Sequence, residues 1–284
     1  MRTQHLSSFF FLMKQALKQI IPLPLWQFTR NTYDGLRRIP ELPAAYFHPW
    51  RRESIRRLAA LKDIHKGKRA FIIGNGPSLK QTDTSKLKNE ITFGMNRIYL
   101  AFPDWGFATT YLCVTNYLVV EQFVDDINSL AIPKFISWRS HRHFSPQLPI
   151  TKLPTFVYTT YTGPKFAYDV RGRVWEGATV TNLALQLAFH MGVEKVILIG
   201  VDHNFASKGD VNKTVVSQGD DPNHFMPNYF GKGVKWQLPD LDTSEVGYAL
   251  ARDAFRKAGR EVVDATVGGK LTIFPKVEYG ALFQ

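Results

Sequence analysis

Asp220-Asp221-Pro222-Asn223-His224-Phe225 places a histidine among acids and an amide in a polar stretch. Imidazole titrates near working pH, so His224 is a candidate general base. A solvated surface histidine is the plainer alternative. Gly200-Val201-Asp202-His203-Asn204 closes an apolar run with an acid that can take sugar hydroxyls, act as a base or cap a turn. Gly74-Asn75-Gly76-Pro77-Ser78 ends another apolar run. Its glycines permit close backbone approach and its amide can bind a sugar or a phosphate, or the segment is a simple turn. It lacks both the Lys-Ser/Thr of a P-loop and the GxGxxG spacing. Asn96 and Asn116 each close a further apolar run. Together with Asn75 they would form an amide-lined cleft suited to hydroxyl-rich groups and nucleotides. Thr179, Thr181 and Asn182 open an apolar helical stretch whose free N–H groups would accept a phosphate. His141-Arg142-His143 reads as surface, and the lone Cys113 as a buried small hydrophobe.

These residues need a frame. Short apolar runs at 69–74, 91–96, 110–115, 134–138, 156–161, 195–200 and 261–266 read as strands. Helical patterns cover 179–191, closed by Gly192, and 243–258, capped by Thr243 or Ser244 and stopped by Gly259. Alternation of this kind predicts an α/β fold: a Rossmann-like, mostly parallel sheet with helices on both faces. In such sheets ligands bind beyond the carboxyl ends of the strands, where Gly74–Ser78, Asn96, Asn116 and Gly200–Asn204 fall. Residues 203–242 are polar and rich in Gly, Pro, Asn and Asp, and read as a long lid loop.

The chain has 284 residues and is 44% hydrophobic, which suffices for a sizeable core and excludes a disordered or fibrous chain. One cysteine excludes a disulfide framework or a multi-cysteine zinc site. No apolar stretch is long enough to span a membrane. The net charge of +12 is uneven: residues 1–69 hold 14 Lys/Arg and 4 Asp/Glu, a balance of +10. Residues 6–21 read as a basic amphipathic helix stopped by Pro22 and Pro24. Residues 1–24 could sit on an anionic membrane or pack on protein. The expected division is a basic helical segment over 1–68 and a nucleotide-binding catalytic domain over 69–284, with no specific nucleic-acid partner. The expected location is the cytoplasm, with the inner membrane face as a peripheral seat.

IIGNGPSLK (72–80), MNRIYL (95–100), CVTNYLVVEQF (113–123) and MGVEKVILIGVD (191–202) occur in an order that resembles one superfamily. It includes the family 42 bacterial sialyltransferases, the flagellin-modifying motility accessory factors and domains like 6-hydroxymethylpterin diphosphokinase. The resemblance covers roughly 69–275. Its sialyltransferase branch implies a CMP-activated nonulosonic-acid donor, a glycan acceptor and no metal. On that reading Asn75, Gly76, Pro77 and Ser78 match the nucleotide-holding NGPS motif, and Asn96 and Asn116 match donor-contacting asparagines. Thr179 matches a threonine at a helix start, although Val180 stands where a serine is expected. Asp202 matches the aspartate after the GID-like strand. Asn204 stands where a tyrosine assists phosphate departure, a role Tyr229 could take. His224 is the nearest match to the lid base. The diphosphokinase branch implies instead ATP and Mg²⁺, with Asp202, Asp220 and Asp221 as metal candidates. A non-catalytic nucleotide- or glycan-binding module is the third reading.

Overall fold

The computed structural model describes residues 23–207 and 209–284, so the amphipathic helix expected over 6–21 lies outside the described residues. Two compact units divide the chain, one ending at Tyr46 and one running from Phe47 to Gln284. In the first, helix α1 (Leu23–Arg38) has Pro24 in its opening turn. Proline suits that turn because its missing N–H would be unpaired there anyway.

The second unit begins well before residue 69 because helix α2 (Pro49–Ala60) is built into it. Arg51 is fully buried and donates to the carbonyls of Phe156 and Arg171, and Ser54 Oγ accepts from the Phe156 N–H. Arg51-Arg52 and Arg56-Arg57, which read in sequence as part of a basic arm, therefore lie on a structural helix.

The next elements are β1 (Arg69–Ile73), β2 (Ile91–Met95), β3 (Tyr111–Val114), helix α3 (Tyr117–Ser129) and β4 (Lys134–Ser137). They are followed by β5 (Thr155–Val157), β6 (Thr159–Thr160), β7 (Val174–Trp175), helix α4 (Val180–His190) and β8 (Lys195–Ile199). Then come β9 (Thr214–Val216), β10 (Lys235–Gln237), helix α5 (Leu241–Lys257) and β11 (Glu261–Asp264). Seven strands form one parallel sheet in the order β11-β8-β1-β2-β3-β4-β5. Their residues are buried on both faces, as a helix-covered parallel sheet requires. Ala70, Ile72, Val196 and Leu198 join the core shared with α4 and α5, while Phe71 stacks on Phe283 across the other face. All eleven residues of α4 are buried.

The run 156–161 is not one strand. It breaks at Tyr158, and β6 pairs with β7 in a separate ribbon. Helix α5 starts two residues earlier than its pattern suggested. Asp240, not Thr243 or Ser244, is its cap, and the carboxylate accepts from the Thr243 N–H at 3.0 Å. Gly192 and Gly259 follow α4 and α5 with positive φ, as helix-ending glycines should. The lid is not a bare loop, since β9 and β10 form an antiparallel pair within it.

Candidate active site

From β1 the chain builds strands β2 to β5 outward in one direction, then returns to add β8 and β11 on β1's other side. The switch point is therefore the carboxyl end of the β1–β8 pair, where open α/β sheets bind ligands. A solvent-open cleft of about 140 Å³ lies there. Its walls are the loop after β1 (Gly74, Asn75, Gly76), Met95 of β2, the start of α4 (Ala178, Thr179, Thr181) and the loop after β8 (Gly200 to Phe205). Asn223 and His224 of the lid, Pro239, and Leu241, Ser244 and Tyr248 of α5 complete it.

The two loops are pressed together. Gly74 and Gly76 extend the β1–β8 pairing by donating to the carbonyls of Ile199 and Gly200 at 2.7 and 2.9 Å. A Cβ on Gly74 would come within 2.1 Å of the Gly200 oxygen, and one on Gly76 within 1.8 Å of Asp202 Oδ2. Asp202 clasps the first loop, because its carboxylate accepts from the Ser78 N–H at 3.1 Å and from Ser78 Oγ at 2.6 Å. Asp202 thus lines the cleft while its oxygens hold the NGPS turn in shape. Pro77 opens the short helix beneath that turn and Ser78 is buried, so neither lines the cleft.

Asn75 lies in the cleft wall, with Nδ2 donating to the Met95 carbonyl at 3.0 Å. Asn96 is the residue after Met95 and does not itself line the cleft. The side-chain oxygens of Asn75 and Asn96 are both buried and have no hydrogen-bond partner. Asn116 does not join them. It caps α3, and Oδ1 accepts from the Leu118 N–H at 2.9 Å, so of the three amides expected to converge only Asn75 lines the cleft. Thr179 caps α4, accepting from the Thr181 N–H. Burial pushes the Tyr248 phenol up, against the lowering effect of hydrogen bonds with Thr179 and Thr181. Asn204 is exposed at the cleft rim.

Asn96, Ala178 and His203 all have φ near +50° without being glycine. Residues held in this region cost energy and gather at functional sites, and these three stand at the ends of β2 and β8 and just before α4.

His224 reaches the cleft from the lid. Its Nδ1 pairs with Asp221 Oδ2 at 2.7 Å, and its ring stacks on Tyr229 at 4.1 Å between centroids, tilted by 6°. Asp221 is itself fixed, since Oδ1 accepts from the Asn223 N–H and its own N–H donates to the Pro227 carbonyl. An acid that holds one imidazole nitrogen leaves the other for proton transfer. Tyr229 is fully buried and does not line the cleft. Its hydroxyl accepts from the Arg97 N–H and its carbonyl accepts from the Arg97 guanidinium, so it is a backing for His224 rather than a ligand contact. Phe225 N–H to the Asn75 carbonyl, at 2.8 Å, fastens the lid to the β1 loop. The Asp221–His224 pairing is legible only as D-x-x-H spacing, and the part played by Tyr248 has no sequence signal.

The acids proposed for a metal do not converge. Asp202 is engaged with Ser78 and Asp221 with His224 and Asn223, while Asp220 lines a different crevice beside β9. Among the described residues no group of three or more His, Cys, Asp or Glu is placed to hold a metal ion. This donor set does not fit a Mg²⁺ site for a diphosphate. Among the described residues no lysine or arginine lines the cleft.

Parallel sheet, switch-point cleft and glycine-rich first loop define a Rossmann-like α/β protein with a candidate ligand cleft. The chain belongs to the family described as 6-hydroxymethylpterin diphosphokinase MptE-like, whose pattern matches residues 51–208, more than half its length. That match places it among possible transferase or kinase-like enzymes. No curated protein matches the chain closely. Among the described residues no helix is long and apolar enough to cross a membrane.

Proposed function

We propose that the protein is a metal-independent glycosyltransferase that moves a nonulosonic-acid-type sugar from a CMP-type donor to a glycan hydroxyl. The observation that carries this reading is His224, held at Nδ1 by the buried Asp221 and backed by Tyr229, in the cleft wall. The nucleoside would meet Asn75 in the cleft wall. Its single phosphate would lie against the first turn of α4, where the positive end of the helix dipole favours an anion. The free ring nitrogen of His224 takes the proton from the acceptor hydroxyl as that oxygen attacks the anomeric carbon. The bond from that carbon to the phosphate oxygen breaks, and the electron pair leaves with CMP.

The family's name favours a second reading, diphosphoryl transfer from ATP. A triphosphate needs strong cationic compensation, usually Mg²⁺ with lysine or arginine. Among the described residues no set of acids converges to hold the Mg²⁺, which supports the first reading.

Calorimetry of the full chain with CMP, CDP and ATP, with and without Mg²⁺, separates the two. CMP is expected to bind equally well in either condition. ATP binding that requires Mg²⁺ would establish the diphosphokinase reading instead, and failure of all three ligands would remove the cleft assignment.

A further inference from the structure

The first unit carries a feature that the proposed reaction does not use. On α1, Leu25, Phe28, Thr32, Tyr33 and Leu36 follow the i, i+3, i+7, i+8, i+11 spacing of one helix face. Leu25, Phe28, Tyr33 and Leu36 are 55%, 69%, 58% and 59% exposed. Thr29 lies in the same stripe, and its hydroxyl donates to the Leu25 carbonyl at 2.9 Å. Asp34 falls on the opposite side of the helix, and Arg37 stands at the stripe's edge with its guanidinium 5.7 Å from the Tyr33 ring centre. Ile39, 54% exposed, continues the apolar surface past the helix end.

A broad apolar stripe bordered by arginine is the pattern of a helix lying in a membrane interface, where arginine stems run along the apolar layer and the charged ends reach the headgroups. Charge agrees with it: residues 1–46 contain six Lys/Arg and two Asp/Glu. A two-helix seam with a second copy fits less well, because it would set Thr29 and Thr32 at its centre. We propose that α1 lies flat on an anionic phospholipid surface, with Leu25, Phe28, Tyr33 and Leu36 toward the acyl chains and Arg37 at the headgroups.

The test is sedimentation of the full chain with vesicles of phosphatidylcholine, alone or with about 30% phosphatidylglycerol, near 0.1 M salt. The mixed vesicles should take down the protein at least about tenfold more strongly than phosphatidylcholine alone, and high salt should reverse this. The double substitution Phe28→Glu with Leu36→Glu should lower binding by about tenfold or more, with an unchanged thermal unfolding curve. No sedimentation of the wild type, or equal sedimentation of wild type and variant, overturns the proposal. So does light scattering that shows a dimer dissolved by the two substitutions with vesicle binding unaffected. None of these outcomes bears on nucleotide binding in the cleft.

Discussion

Gly76→Ala tests how the cleft is held in shape. The new methyl carbon would start 1.8 Å from Asp202 Oδ2, 2.5 Å from Asp202 Cγ and 2.9 Å from the Gly200 oxygen. Real Cβ contacts essentially never fall below 3.0 Å, so the carboxylate must retreat by more than 1 Å. Its bonds to Ser78, now 2.6 and 3.1 Å, cannot both survive that movement. Hydrogen bonds to charged groups contribute about 1.5–3 kcal/mol each. Asp202 is only half-buried and regains some water, so a loss of about 2–4 kcal/mol is expected. For a unit of this size that lowers the unfolding temperature by roughly 4–16 °C. CMP affinity should fall as well, because the same turn presents Asn75. Thermal denaturation and calorimetry of the single variants and of the double variant with Asp202→Ala form a cycle. In the Asp202→Ala background, Gly76→Ala should cost far less, since the clash is gone. Equal cost in both backgrounds, or a single variant that melts with the wild type, would refute the clasp.

Asp221→Asn should lower turnover by about a hundredfold or more while CMP affinity stays within about twofold, because it disturbs the partner of the base and leaves the nucleotide contacts intact; steady-state rates beside calorimetry check it, and unchanged turnover would remove His224 from the reaction. Glu53 gives a pH signature: hydrogen bonds from Arg56 and Arg57 hold its carboxyl at about 2, below the ordinary 4.5. A depressed carboxyl stabilises the fold above its unfolded value and loses that contribution as pH falls from about 4.5 toward 2. The melting temperature of Glu53→Gln should therefore fall less over that range than that of the wild type.

The strands were readable because each is a short apolar run buried on both faces, a pattern that does not depend on what lies next to it. The run 156–161 misled for the same reason: apolarity cannot register that the chain turns at Tyr158 to pair elsewhere. At the cleft, the glycine-rich turn, the acid after β8 and the lid histidine were found by residue type, since few residues allow close backbone approach or titrate usefully. What their types could not reveal was which neighbour each one serves. Asn116 looks like Asn75 in sequence, yet it spends its oxygen on the start of its own helix. Tyr229 looks like a phosphate donor, yet the packing of Arg97 against it seals its hydroxyl. The acids 220 and 221 are adjacent in sequence, yet only the second reaches the imidazole. Such pairings are set by long-range packing, which residue type and spacing do not encode.

The Asp202–Ser78 clasp joins positions 124 residues apart. On a ribosome adding about 5–20 residues each second, the first wall of the cleft must wait about 6–25 s for the second to be made. Throughout that interval the edge of β1 that β8 will cover has no partner, and no shortened chain ending before Asp202 can assemble the pocket. The binding site is therefore a late product of synthesis, and ligand capture during translation would report that the β8 loop has emerged and docked.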